Sequence, residues 1–290
     1  MRLSTGDRIF YAINYFLLSL AALSCLYPLI NICAISLSGN DAVLSGRVYL
    51  WPVDVSMESY QILLAGTPIL RSFRNSLIIT LTGTLLSLFF TFLAAYPLSR
   101  RGFYGRRPFT LAIVFTMIFS SGVIPQYLLV KSIGLIDSYW AIWCLGLISA
   151  YNMLIMKNYF ENLPDELEEA ARIDGAGELT YITRIVLPIS VPMIATISLF
   201  YGVGLWNSFM NVLIYINDTT KFNMSVLVQQ MIRSQSLTQD FALRPEEMQQ
   251  VTPEGVKSAG VMIMIIPLLI VYPFIQKYFV KGVMIGAVKG

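Results

Sequence analysis

The sequence predicts an all-α integral membrane protein with six transmembrane helices and one short cytoplasmic helix between the fourth and fifth. Three observations carry that prediction. Of the 290 residues, 56% are hydrophobic and only 13% charged, and the mean hydropathy is +0.66. That composition lies outside the range of soluble domains. Six charge-free apolar runs occupy residues 9–37, 77–99, 108–130, 138–156, 185–216 and 258–276, each near or above the ~20 residues a helix needs to cross a bilayer. Lys and Arg gather in the connections on one side of these runs, as cytoplasmic loops do. The period-two alternation of a membrane β-barrel is nowhere sustained.

Taken in order, the first run follows Arg2 and Arg8 and continues past Cys25 to Leu37. It is longer than the ~7–15 residues of a signal core, and Ala22-Leu23-Ser24-Cys25 is a poor likeness of a cleavage box, so it reads as a mature span. Residues 38–73 form a polar external loop. Between the second and third runs, Ser99-Arg100-Arg101-Gly102-Phe103-Tyr104-Gly105-Arg106-Arg107-Pro108 nearly fixes the topology by itself. With both termini in the cytoplasm, twelve of the twenty basic residues fall inside. The fifth run exceeds one span and contains Pro188, Pro192, Gly202 and Gly204, which predicts an interfacial lead-in or a kink. Residues 217–257 make a second polar external loop, with room for one or two short helices. It suits a solvated connector and a docking surface equally well.

Several function classes drop out. With no histidine in the chain, Ser-His-Asp and Cys-His catalysis and His-based zinc sites are excluded. Cys25, Cys33 and Cys144 sit inside apolar runs without metal-ligand spacing, so no metal site is expected. The modest net charge of +3 offers nothing to nucleic acid. No Gly-x-x-x-x-Gly-Lys-Ser/Thr phosphate cradle occurs, so ATP is not expected to bind this chain. Spans nearly free of charge argue against an ion-coupled carrier and suit a neutral path for hydroxyl-rich solutes. Tyr151, Asn152, Trp206, Asn207 and Asn211 are the candidates to line such a path. Each also fits an interhelical hydrogen bond or an interfacial anchor. A polytopic enzyme would need a reactive constellation within the membrane, and none is present.

The most informative segment is 158–184, between the fourth and fifth runs. Pro164 suits the first turn of a helix, and the acids after it suit the positive end of its dipole. Leu163, Leu167, Ala170 or Ala171, and Ile173 are predicted to form an apolar stripe, with Asp174-Gly175 as a break and a second helix resuming toward Pro188. Five acids against one base between Asp165 and Asp174 give this helix a net charge of −4. Anionic lipid would repel it, so a basic protein groove is the expected partner.

Glu169-Ala170-Ala171, three residues, Gly175, nine residues, Ile185, one residue and Leu187-Pro188 resemble the EAA loop of binding-protein-dependent ABC importer permeases. The resemblance implies the type I permease fold, with this loop as the coupling helix seated on a separate ATPase. Glu168, Glu169, Ala170, Ala171, Asp174, Gly175 and Ala176 would then form the ATPase-coupling site. Ile173-Asp174-Gly175-Ala176, Trp206-Asn207-Ser208-Phe209 and the tail from Gln276 to Gly290 are similar to carbohydrate-uptake permeases of the maltose-type second subunit. Within that group the chain looks closest to a branch importing polysaccharide-derived oligosaccharides such as alginate or pectin fragments. A non-sugar cargo stays open, since related permeases share the loop. The resemblance further implies a second, non-identical permease, two ATPase copies that hold ATP and Mg, and an extracytoplasmic solute-binding protein. It places the chain in a bacterial cytoplasmic membrane and gives Lys281, Gly286 and Lys289 a second ATPase contact.

Overall fold

The structure is a computed structural model that describes residues 4–119, 121–233 and 252–287, and these are mostly helical. Three helices are long and apolar enough to cross a membrane unbroken: α1 (Thr5–Ser36), α4 (Ile69–Ser99) and α14 (Pro253–Ala287). Three further spans are bent pairs. These are α5 (Arg106–Ile118) with α6 (Val123–Ser132) at 115°, α7 (Tyr139–Leu145) with α8 (Ala150–Glu161) at 51°, and α10 (Glu178–Ile189) with α11 (Val191–Trp206) at 75°. Counting each pair as one span gives six, the number of apolar runs in the sequence.

The breaks have local causes. At the third, Pro192 has no N–H to give and Ser190 turns the chain, its N–H shared between the carbonyls of Val186 and Leu187. Just before it, Ile182–Val186 is a π-turn, a local widening of the helix that often marks functional positions. At the second, Ser149 accepts from the N–H of Asn152 and so caps the new helix. At the first, Gly122 takes φ +77°, a conformation that glycine adopts without strain. The uninterrupted run 108–130 therefore does not fold as one rod.

The described residues fall into two compact units. One draws on 4–70, 227–233 and 252–266. In it, α1 begins at a capping box between Ser4 and Asp7. Its large apolar side chains from Ile9 to Ile30 remain exposed, as on a helix whose neighbour is lipid or another chain. The sequence treats 38–73 as a polar loop, but the segment is ordered around a small core of Ala34, Ala42 and Val48. Asn31 donates to the carbonyl of Tyr49 at 2.8 Å, and Ser38 accepts from the N–H of Val53 at 3.0 Å. Two short helices, α2 (Asn40–Leu44) and α3 (Glu58–Gly66), lie within this segment. Because α4 starts at Ile69, the last residues of that predicted loop, Arg71 among them, sit on a helix.

The other unit draws on 71–119, 121–226 and 267–287. Its larger core joins α4, α8, α10 and α11 through Ala95, Met153, Met156, Phe160, Val186 and Ile197. Inside it the Tyr201 hydroxyl meets Thr91 Oγ1 at 2.7 Å and accepts from the N–H of Ser149 at 2.9 Å, which satisfies a backbone donor at a helix break. A second cluster packs Ile79 and Ile142 against Val212 and Ile216 around α12 (Phe209–Tyr215). Asn75 donates to the carbonyls of Thr220 and Phe222 at 2.9 and 3.0 Å. Ser76 Oγ accepts from the N–H of Met224, at the start of α13 (Met224–Arg233), at 2.8 Å. Outside the helices, Asp137 accepts from the N–H groups of Asp218 and Asn217 and pairs with Lys221 at 2.9 Å. Those backbone bonds, then the lysine, hold its carboxyl below the usual range.

Close helix packing rests on Gly83 of α4. A Cβ there would stand 2.7 Å from Leu205 Cδ1 and 2.9 Å from the Trp143 ring, whose Nε1 donates to the Ile79 carbonyl at 3.1 Å. Gly83→Val is expected to cost about 1–3 kcal/mol through overpacking. The check is the thermal stability of the purified protein in detergent. An unchanged midpoint would show that α4, α7 and α11 can move apart freely.

Candidate functional site

Between α8 and α10 the chain makes a compact bracket. The α8 helix ends at Asn162, Leu163 turns back with its N–H on the Phe160 carbonyl, and α9 (Glu166–Ile173) begins after Pro164. Glu166, Glu168 and Glu169 occupy the first turn of α9, where the helix dipole favours negative charge.

Leu163, Leu167, Ala171 and Ala176 pack inward against the core that holds Phe160 and Tyr181. Of the two alanines, Ala171 is the buried one and Ala170 is exposed. Ile173 is not on this stripe. It is 85% exposed, because a residue two positions after Ala171 points about 200° away around the helix. Glu169, Ala170, Ile173 and Asp174 therefore make one outward face.

The break at Gly175 is a Schellman turn. The N–H of Ala176 reaches the Ala171 carbonyl at 2.9 Å, and that of Gly175 reaches Arg172 at 3.0 Å. Gly175 has φ +74° and no atom within 4 Å of a would-be Cβ. Backbone conformation rather than space selects glycine here.

One side chain that the sequence reading assigned only to topology organises the bracket. Arg100, just past the end of α4, donates to Glu168 Oε2 at 2.7 Å and to the Tyr96 hydroxyl at 2.9 Å. Its guanidinium lies over the Tyr96 ring at 4.5 Å and near the Tyr181 ring at 5.4 Å. Tyr96 in turn donates to Glu178 Oε1 at 2.6 Å. Both helices of the bracket, α9 through Glu168 and α10 through Glu178, are thus fastened to the end of α4. Glu168 also accepts from Arg172 at 2.6 Å, so among the expected coupling residues it is engaged within the chain. A cavity of about 1270 Å³ adjoins this network, lined by Phe92, Arg100, Glu168, Glu178 and Leu187 among others.

The other expected sites are dispersed. Asn152 and Trp206 are buried, and Trp206 meets Phe73 edge-on at 5.9 Å. Tyr151, Asn207 and Asn211 are exposed, with Asn207 ending α11. Lys281 and Gly286 fall on α14, and Lys289 lies outside the described residues. Sequence reasoning missed Arg100, Tyr96 and Glu178 as a group, since their contacts cross 68 to 82 positions of chain. The one available signal was an arginine-rich connection at 99–108 together with an acid-rich one at 165–174.

If Arg100 fastens the bracket, Arg100→Gln should increase hydrogen exchange in α9 and α10 while leaving α1 unchanged. The double variant with Glu168→Gln should be less destabilised than the sum of the singles, with a coupling of about 1–3 kcal/mol. Strict additivity would remove Arg100 from this role.

Comparison with known proteins fits this geometry. Residues 1–285 match the family described as "binding-protein-dependent transport system inner membrane component". The polygalacturonan/rhamnogalacturonan transport system permease protein YtcP of Bacillus subtilis (strain 168) is 42% identical over 98% of this chain and 99% of its own. Protein LplC of the same organism is 40% identical over 100% of this chain and 98% of its own. Among solved structures, a bacterial ABC transporter involved in the import of the acidic polysaccharide alginate superposes with a TM-score of 0.89 at 35% identity, covering 96% of this chain and 99% of the other. With a family match over almost its whole length and two long relatives at this identity, the chain belongs to the binding-protein-dependent inner membrane transport components, the permease subunits of ABC importers.

Proposed function

We propose that this permease moves an oligosaccharide released from an acidic polysaccharide, and that residues 158–184 are its cytoplasmic coupling bracket. The observation that carries the coupling reading is the outward face of Glu169, Ala170, Ile173 and Asp174 on a bracket tied at both helices to α4. An acidic and apolar ridge of this kind suits a basic groove with an apolar floor on an ATPase. ATP and Mg then belong to two copies of that ATPase, and the second half of the pore to a non-identical permease. The arginine-rich hairpin at 100–107 supports a cytoplasmic position for this side of the molecule and for both termini. Lys281, Gly286 and Lys289 would add a second contact from the tail.

Mechanically, the ATPase pushes on the exposed face of α9. Arg100 and Tyr96 pass that displacement to α4, where a flexible loop would absorb it. The core around α4, α8, α10 and α11 moves with it, and the path opens to one side at a time. A separate solute-binding protein outside the membrane delivers cargo. Tyr151, Asn207 and Asn211, being exposed on this chain, are the better placed of the path candidates to meet it. Asn152 and Trp206 shape the wall from behind. The acidic-oligosaccharide cargo is supported by the relative named for polygalacturonan and rhamnogalacturonan and by the transporter involved in alginate import.

Cells carrying the whole importer are expected to take up labelled trigalacturonate in preference to maltotriose. Glu169→Lys should cut that uptake by at least about tenfold at an unchanged level of permease in the membrane. Normal uptake by the variant would sink the coupling assignment, and preference for maltotriose would sink the cargo.

A further inference from the structure

A second cavity, of about 880 Å³, opens between the hairpin after α4, the first two turns of α5 and Lys157 of α8. Its charged lining is entirely cationic: Arg101, Arg106, Arg107 and Lys157. Nearby, one carboxylate serves two of them. Glu161 accepts from Arg106 and, at 2.7 Å, from Lys157, which is itself buried. Arg101 and Arg107 are exposed and have no acidic partner among the described residues. Arg101 and Arg106 also line the neighbouring cavity with Glu168 and Glu169, so the cationic charge without an ion-pair partner at this concave site is that of Arg101 and Arg107. Neither of these two arginines is used in an ion pair of the fold, and two such guanidinium groups on a concave site suit an anion.

The apolar surroundings narrow the anion. From this cavity α5 runs away with no buried residue of its own. Leu111, Phe115 and Ile118 are exposed at a spacing of four and three residues, so they form one stripe along the helix. Leu111 lines the cavity itself. Charge for a phosphate therefore stands at one end of a continuous apolar track that extends about 10 Å along the helix. Tyr104, 98% exposed at the hairpin tip, and Phe103 supply aromatic side chains of the kind that settle at a membrane interface.

We propose that this cavity holds the headgroup of an anionic phospholipid, with an acyl chain laid along Leu111, Phe115 and Ile118. The site adjoins the cavity beside the bracket, with Arg101 and Arg106 lining both, and it rests on the proposed cytoplasmic placement of the 100–107 hairpin. Lipid occupancy would brace α5 against α8 through Arg106, Glu161 and Lys157, directly beside the bracket.

The test uses the assembled importer in phosphatidylcholine vesicles that contain an equal small fraction of acyl-diazirine phosphatidylglycerol or acyl-diazirine phosphatidylcholine, with labelled residues mapped by mass spectrometry. Phosphatidylglycerol is expected to label residues 107–118 at least about fivefold more than phosphatidylcholine. Arg101→Gln combined with Arg107→Gln should abolish that preference, while Arg101→Lys combined with Arg107→Lys should keep it. Labelling of α1 serves as the folding control in every variant. Equal labelling by the two lipids overturns the proposal, as does a preference that survives the glutamine pair or is lost in the lysine pair. Competition by inorganic phosphate at constant ionic strength would make this a free-phosphate site, and absence of label on 107–118 would assign the face to the second permease. Because transport is not the readout, a failed coupling assignment would leave the labelling result unchanged.

Discussion

The geometry of residues 158–184 depends on one guanidinium. Arg100 sits where α4 leaves the apolar core, and its donors reach Tyr96 on its own helix and Glu168 on α9. Tyr96 extends the chain of bonds to Glu178 on α10. The side chains of the Arg100 and Glu168 pair are 23% and 24% exposed, a setting in which an ion pair is screened less than on the open surface and an unpaired member is costly. The same arrangement divides labour between two adjacent glutamates. Glu168 is used inside the chain, and Glu169, one residue on, faces out with no hydrogen bond or ion pair among the described residues.

A second constraint comes from the solvent. In hydrocarbon a free backbone amide finds no water, so a span can break only where another group takes over its hydrogen bonds. The breaks at Ser149 and Ser190 obey this. Ser149 caps α8, the Tyr201 hydroxyl accepts the N–H of Ser149, and the N–H of Ser190 is shared between two carbonyls. Tyr201 therefore links a helix break to the same core that supports the bracket, so the break before α8 is part of one packed body rather than a loose joint.

Much of this was legible in the sequence. The apolar runs marked the spans, because a charge within a span is expensive enough to be rare. Pro164 and Gly175 marked the ends of α9, because one lacks a donor and the other tolerates positive φ. Prolines 188 and 192 announced the bend that the structure shows at Ser190. What stayed hidden depended on contacts remote in sequence. Ile173 looked like part of the apolar stripe because hydrophobicity alone does not say which side of a short helix is covered. Residues 38–57 looked like a polar loop because their order comes from side-chain bonds such as Asn31 to Tyr49. The break inside 108–130 has Ser121, Gly122 and Pro125 beside it, but these stand in a run otherwise as apolar as its neighbours, and hydropathy alone does not register them.

The central claim is that α9 presents Glu169, Ile173 and Asp174 to the ATPase and turns Ala171 toward its own core. Site-directed crosslinking tests it most directly. With a short bifunctional thiol reagent on the assembled importer, and with the native cysteines replaced, Ile173→Cys should crosslink to an ATPase carrying cysteines along its basic groove. Ala171→Cys should not. Crosslinking at position 171 but not at 173, in an importer that still transports, would contradict the account.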